Sequence, residues 1–215
     1  MNSDSIAKPS SPVEREIATV ALTRETSAYG QETTVHWKGT LDLPEWIGYV
    51  SHLVDQVEPD KQQPLLGSIE LCIIATDSLP LNHLGQQSTA LEQFLEQQST
   101  IQEKMLLEIW QMFVECYDSQ YDDLFSSEDS ELLSWEARAE KANNPTEADL
   151  AKLKALIGPY TVEVYPTNGE IPVQIMMKFG CWWDPEHGLE VLLENGEIKD
   201  IDNEATTRPA ALSLI

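Results

Sequence analysis

The segment 171–202 constrains the fold most, because apolar side chains recur at every second position along its first half. Apolar or thiol side chains occupy the odd-numbered positions Val173, Ile175, Met177, Phe179, Cys181 and Trp183. Polar residues of the other parity include Gln174, Lys178 and Asp184. This period of two predicts a long strand with one face in the core.

Turn residues around this strand predict a four-stranded antiparallel meander. Asn168-Gly169 and Asn195-Gly196 are favoured in two-residue type I′ turns, since both central residues need a positive φ. The first turn predicts the pairs Val164–Val173, Val162–Ile175 and Tyr160–Met177, and the second predicts the pair Leu193–Ile198. A five-residue loop, Asp184–Gly188, predicts the pairs Trp183–Leu189, Cys181–Val191, Phe179–Leu193 and Lys178–Glu194.

The rest of the chain predicts an α+β fold in which an antiparallel sheet packs against a helical pair or small helical layer. Strands are predicted at 17–22, 33–41 and 68–75, and the last is central because both its faces are apolar. A short amphipathic helix is predicted at 45–57. Capping-box patterns at Thr89–Glu92 and Thr100–Glu103 predict two further helix starts, and Thr146–Asp149 opens one more helix.

Composition predicts a single domain at 15–202 between two irregular ends. Residues 1–14 are rich in serine and proline, which is typical of a disordered leader, and 203–215 lack periodicity and predict a loose tail. The acid-rich stretch at about 118–145 predicts a solvated helical insertion. The three cysteines Cys72, Cys116 and Cys181 lie far apart in apolar contexts and predict buried thiols of a reducing cytoplasm.

The formal net charge of −24 is the strongest feature of the composition. A field of this sign repels phosphate backbones and anionic lipids, so it disfavours nucleic-acid and membrane-surface functions. No apolar run approaches the about 20 residues of a membrane span. A basic protein or a cation is the natural partner, although an acidic surface also serves solubility alone.

The turn at 184–188 holds the one group of side chains that indicates chemistry. Asp184, Glu186 and His187, with Cys181 close by, could bind a divalent metal or act as an acid and base pair. A structural interpretation competes with this one: Asp184 caps the turn, Pro185 stiffens it, Gly188 takes a positive φ and His187 bonds across the hairpin. No other cofactor is indicated.

A second candidate site lies on the outer face of the predicted sheet. Met176, Trp182 and Leu192 are apolar residues of the outward parity. Either a helix covers them or they form an interaction surface.

The run Trp183-Asp-Pro-Glu-His-Gly188, followed by the Asn195-Gly196 turn, resembles the C-terminal W-D-x-E-H-G signature of an uncharacterised bacterial domain family. The resemblance implies the same order of strands, paired helices and terminal meander from about Val35 onward, and it brings no catalytic residues. Similar small acidic proteins serve as immunity partners of bacterial toxins, an analogy of class only.

These observations favour a cytoplasmic bacterial protein that binds a basic protein partner, in an immunity-like function, over an enzyme. A metal-binding domain or metal-dependent hydrolase centred on 184–187 is the alternative, and a purely structural domain is the third. The oligomeric state is left open.

Overall fold

The computed structural model describes residues 14–17, 20–29, 32–52, 63–76, 81–116, 135–167 and 171–202. Within these ranges eight strands form one sheet in sequence order. The strands are β1 (Glu14–Ile17), β2 (Val20–Tyr29), β3 (Glu32–Asp42), β4 (Ser68–Thr76), β5 (Ile157–Tyr165), β6 (Gln174–Cys181), β7 (Asp184–Glu194) and β8 (Glu197–Asp202). Their order confirms the α+β class and the terminal meander of β5 to β8.

The prediction of an antiparallel sheet is wrong at one place, because β4 and β5 are parallel neighbours. A parallel pair needs a long crossover connection, and the helices lie within that connection. They are α1 (Leu81–Glu96), α2 (Gln98–Cys116), α3 (Trp135–Asn143) and α4 (Glu147–Leu156), and a short 3-10 turn, Pro44–Trp46, follows β3. No described helix is long and apolar enough to cross a membrane.

One hydrophobic core joins the helices to a single face of the sheet. Its members include Leu91 of α1, Met105 and Phe113 of α2, and the odd-numbered residues Ile175 and Phe179 of β6. The predicted inward parity of β6 is therefore confirmed. Strand β4 is central, and Leu71–Ala75 are all buried, as residues of a strand covered on both faces should be.

The second Asn-Gly turn is confirmed in detail. Asn195 and Gly196 have φ values of 53° and 78°, and Leu193 lies opposite Ile198. The first Asn-Gly pair, 168–169, lies outside the described residues. Its predicted register is nevertheless wrong, because Val164 pairs with Ile175 and Val162 with Met177, two residues further along β6.

Both predicted capping boxes are wrong. Thr89 lies in the middle of α1, where its hydroxyl donates to the carbonyl of Gly85, and Thr100 lies inside the first turn of α2. A hydroxyl can bond the preceding turn of a helix as readily as it caps one. The helix start predicted at Thr146 is confirmed, and there Thr146 and Asp149 form a complete capping box.

The helix predicted at 45–57 is also wrong in its described part, since regular structure ends at Trp46 and residues 47–52 are irregular. This segment instead makes hydrogen bonds to neighbouring loops, for example from Gly48 N to Leu65 O at 3.0 Å. The predicted leader up to residue 13, the tail at 203–215 and residues 117–134 of the acidic stretch lie outside the described residues.

Candidate functional site

The turn between β6 and β7 is two residues long, Trp182-Trp183, so the predicted five-residue loop is wrong. Phe179 pairs with Leu189 and Cys181 pairs with Asp184. Between these pairs β6 has one residue and β7 has four, 185–188. An irregularity in β7 absorbs the extra residues, which sequence patterns alone do not reveal.

Asp184 and His187 interact directly within this irregularity. The Oδ1 atom of Asp184 lies 3.1 Å from the backbone nitrogen of His187, which donates to it, and 3.0 Å from the ring Nδ1. Gly188 has a φ of 75°, a conformation that favours glycine. The contacts of Asp184 and the φ of Gly188 match the structural interpretation, but the ring of His187 contacts Asp184 of the same strand and not the other strand of the hairpin.

Glu186, the third residue predicted to bind metal, is exposed. Within the described part of the chain, no three His, Cys, Asp or Glu side chains are grouped so that they could hold a metal ion. The thiol of Cys181 is buried and contacts the carbonyl of Asp184 at 3.5 Å. Metal binding by Asp184, Glu186 and His187 stays a prediction.

The thiol of Cys181 is a poor nucleophile in this setting. Burial, followed by the negative charge of Asp184, raises its pKa to about 12, although a hydrogen bond to the Asp184 backbone acts in the opposite direction. A thiol is reactive as the thiolate, so Cys181 stays inert at neutral pH.

Met176, Trp182 and Leu192 do not form one exposed surface. Met176 and Leu192 are buried in a small cluster with Cys72, Ile74 and Tyr165 on the sheet face opposite the main core. Trp182 is partly exposed and lies in the β6–β7 turn. Its backbone nitrogen donates to the carbonyl of Leu156, which fixes it beside the end of α4.

A charged network that the sequence reasoning missed lies beside this cluster. The Lys178 ammonium is 3.1 Å from a carboxylate oxygen of Glu163 and 3.3 Å from one of Glu190. The hydroxyl of Tyr165 donates to Glu163. Burial lowers the pKa of Lys178, but the two carboxylates outweigh it and hold the pKa above its ordinary value. The correct register, which pairs Lys178 with Glu190, would have revealed the contact.

Cys72 and His36 form the remaining contact of chemical interest on this face. The Nδ1 atom of His36 lies 3.4 Å from the sulfur of Cys72. Burial, and then the charge of Glu163, raises the pKa of Cys72 to about 12, so the pair does not resemble an activated thiol. The sequence showed His36 only as an isolated histidine.

The fold defines an α+β protein with one mainly antiparallel sheet. A family model described as a domain of unknown function, DUF6985, matches residues 50–206, and the chain belongs to this family. Strands β1 to β3 precede the matched span. No curated protein and no solved structure matches the chain. The predicted membership of an uncharacterised family is thus confirmed, whereas the bacterial origin and the signature motif stay predictions.

Proposed function

We propose that this chain is a cytoplasmic protein that works by binding a basic protein partner through its acidic surface. The observation that carries the proposal is the net charge of −24, together with the pairing of the chain's few lysines with its own carboxylates. Five lysines of the described ranges form ion pairs: Lys38 with Glu25, Lys104 with Glu197, Lys141 and Lys152 with Asp149, and Lys178 with Glu163 and Glu190.

Many carboxylates remain at the surface beyond these pairs. Exposed acids of the described chain include Asp42, Glu45, Glu70, Glu92, Glu96, Glu103, Glu140, Glu147, Glu186 and Asp200. Repulsion between acids also acts at Glu108, where burial and then the charge of Glu197 raise the pKa above its ordinary value, against the opposing charge of Lys104. A surface of one sign speeds encounter with partners of the opposite sign and repels partners of its own.

The state of the candidate catalytic groups supports binding over catalysis. Burial raises the pKa of the Cys72 and Cys181 thiols to about 12, and the exposed His187 is engaged with Asp184. An immunity-like function, in which the acidic surface covers the basic substrate site of a toxin, is the specific form of binding that we propose. It rests on charge alone.

The test is affinity capture from a cell extract at two ionic strengths, about 0.05 M and about 0.5 M. We expect a basic protein to be retained in stoichiometric amount at low salt and released at high salt. A second column with an unrelated acidic protein of similar charge controls for general polyanion binding. Capture of the same proteins by both columns, or of none by either, would contradict the proposal.

A further inference from the structure

One end of the sheet gathers most of the exposed apolar side chains. At this end β4, β5 and β7 begin and β3 and β6 finish, because Ser68 pairs with Asp42 and Ile157 pairs with Cys181. The segments 43–52, 63–67 and 182–188 adjoin it, and we call these three segments the loop end. Neighbouring strands lie about 4.8 Å apart, and β5 lies between β4 and β6, so β4 and β6 are about 10 Å apart at this end.

Three of the four large apolar side chains that are exposed in the described chain belong to the loop end. Ile47 is 52%, Leu66 90% and Trp182 41% exposed, whereas the fourth, Leu107, is 43% exposed on α2. Single exposed apolar residues are ordinary, but a group of them at one place marks an interaction site.

Backbone hydrogen bonds order the segments that carry these side chains. The Leu65 nitrogen donates to the Tyr49 carbonyl at 2.8 Å, and the Trp182 nitrogen donates to the Leu156 carbonyl at 2.8 Å. Ile47 also packs closely over Gly67, where an added Cβ would lie 2.9 Å from its Cγ1. A partner would therefore meet a backbone that is already ordered, which reduces the entropic cost of binding.

The charges at this end select the occupant. Glu45 and Glu186 are exposed within the loop end, Asp42 and Glu70 are exposed on the strands next to it, and Lys154 lies over the Tyr49 ring. A groove of about 450 Å³ beside Leu65 is lined by Ile69, Glu70 and Tyr160. A second copy of the chain would bring the same acids into contact, so like charges oppose that occupant.

We propose that the loop end is the docking surface for a partner segment that carries apolar side chains next to lysine or arginine. This inference rests on the proposed function and adds the place and the chemistry of recognition. Leu66 and Trp182 contact the apolar side chains, and Glu70 pairs with a cation at the groove.

The test uses two labelled synthetic peptides of equal length and charge, one alternating lysine with leucine and the other lysine with glycine. Fluorescence anisotropy measures their binding to the whole chain. We expect the leucine peptide to bind more tightly, and Leu66→Ser or Trp182→Ser to weaken it about tenfold, as loss of a central interface side chain does. Glu70→Gln should weaken both peptides and lessen the salt dependence.

Leu107→Ser and Glu103→Gln are the matched controls, because each removes an exposed leucine or acid of α2. Leu107→Ser should bind the peptides as the wild type does, and Glu103→Gln should weaken them less than Glu70→Gln does. Leu66 is so exposed that Leu66→Ser should fold normally, even if Trp182→Ser does not.

If the wild type binds the two peptides with equal affinity, the proposed docking surface is wrong. The same holds if the loop-end and control variants lose equal affinity for the leucine peptide. Either result would leave the proposed binding of a basic partner standing. Failure to bind either peptide at low salt would overturn both proposals. Light scattering that shows a dimer in the wild type and a monomer in Leu66→Ser would assign this surface to self-association and overturn the proposal as well.

Discussion

The carboxylate of Asp184 lies within hydrogen-bonding distance of both the backbone nitrogen and the ring Nδ1 of His187, at 3.1 and 3.0 Å. The two residues that most indicated a metal site thus satisfy each other. This contact fixes the start of β7 immediately after the exposed Trp182.

We expect Asp184→Ala to lower the free energy of unfolding by about 0.5–2 kcal/mol, because the backbone nitrogen of His187 loses its acceptor. Glu186→Ala should change it by no more than about 0.5 kcal/mol, since Glu186 is exposed. Urea denaturation compares the two. Equal effects would contradict the capping function of Asp184.

Thermal unfolding with added metal ions tests the metal hypothesis. A metal that binds only the folded state raises the thermal midpoint. At a metal concentration of 100 times the Kd, it adds about 2.7 kcal/mol to the free energy of unfolding. Because Glu186 is exposed, we expect the thermal midpoint to be the same with Zn²⁺, Mn²⁺, Mg²⁺ or Ca²⁺ as with a chelator. A rise that His187→Ala abolishes would instead establish the metal site.

Lys178→Met should destabilise the fold by about 3 kcal/mol, because it leaves Glu163 and Glu190 together without their cation. Urea denaturation of the variant and the wild type at neutral pH measures the loss.

Lys199→Met is the control for this change, since Lys199 is an exposed lysine of β8. Its unfolding free energy should stay within about 0.5 kcal/mol of the wild type. A similar loss in both variants would show that the change in net charge, and not the loss of the contacts of Lys178 with Glu163 and Glu190, lowers the stability.

Thr146→Ala and Thr89→Ala separate a real helix cap from an apparent one. Thr146 accepts from the Asp149 nitrogen at 3.2 Å, so its loss should cost about 1 kcal/mol. Thr89 lies inside α1, where alanine is the better helix former, and its replacement should be neutral or slightly stabilising. Chemical denaturation of both variants measures this, and a larger loss for Thr89→Ala would refute the assignment.

Gly158→Ala should destabilise the chain by about 1–3 kcal/mol, because the new Cβ would lie 2.7 Å from the Ser51 nitrogen and the Val50 carbonyl carbon. Gly85 lies in α1 with no atom within 4 Å of such a Cβ. Gly85→Ala should stabilise by about 0.5–1 kcal/mol. Thermal unfolding of the pair checks the close approach of the 50–52 loop to β5.

Stability should decline at alkaline pH. The thiol pKa values of Cys72 and Cys181 rise from 9.0 to about 12 on folding, chiefly through burial. A group whose pKa is raised by folding stabilises fully below its unfolded pKa, so this contribution is lost between about pH 9 and 12. Urea midpoints across this range should fall, and less steeply in the double variant Cys72→Ala, Cys181→Ala.

The parity of β6 and the Asn195-Gly196 turn could be predicted because both depend on neighbouring residues. Side chains alternate along any strand, and Asn195 and Gly196 adopt their positive φ values locally. The Thr146–Asp149 cap is local in the same way. Wrong caps at Thr89 and Thr100 arose because the same local pattern also occurs inside a helix.

By itself the sequence determined the acidic charge, the inward faces of the strands and the order of the terminal meander, since these follow from composition and periodicity. Only the tertiary structure decided the registers, the parallel pairing of β4 with β5, the Glu163–Lys178–Glu190 network and the gathering of Leu66 and Trp182 at one end. Each of these depends on residues far apart in the chain, and on irregularities in β5 and β7 that shift a register without changing the pattern of side chains.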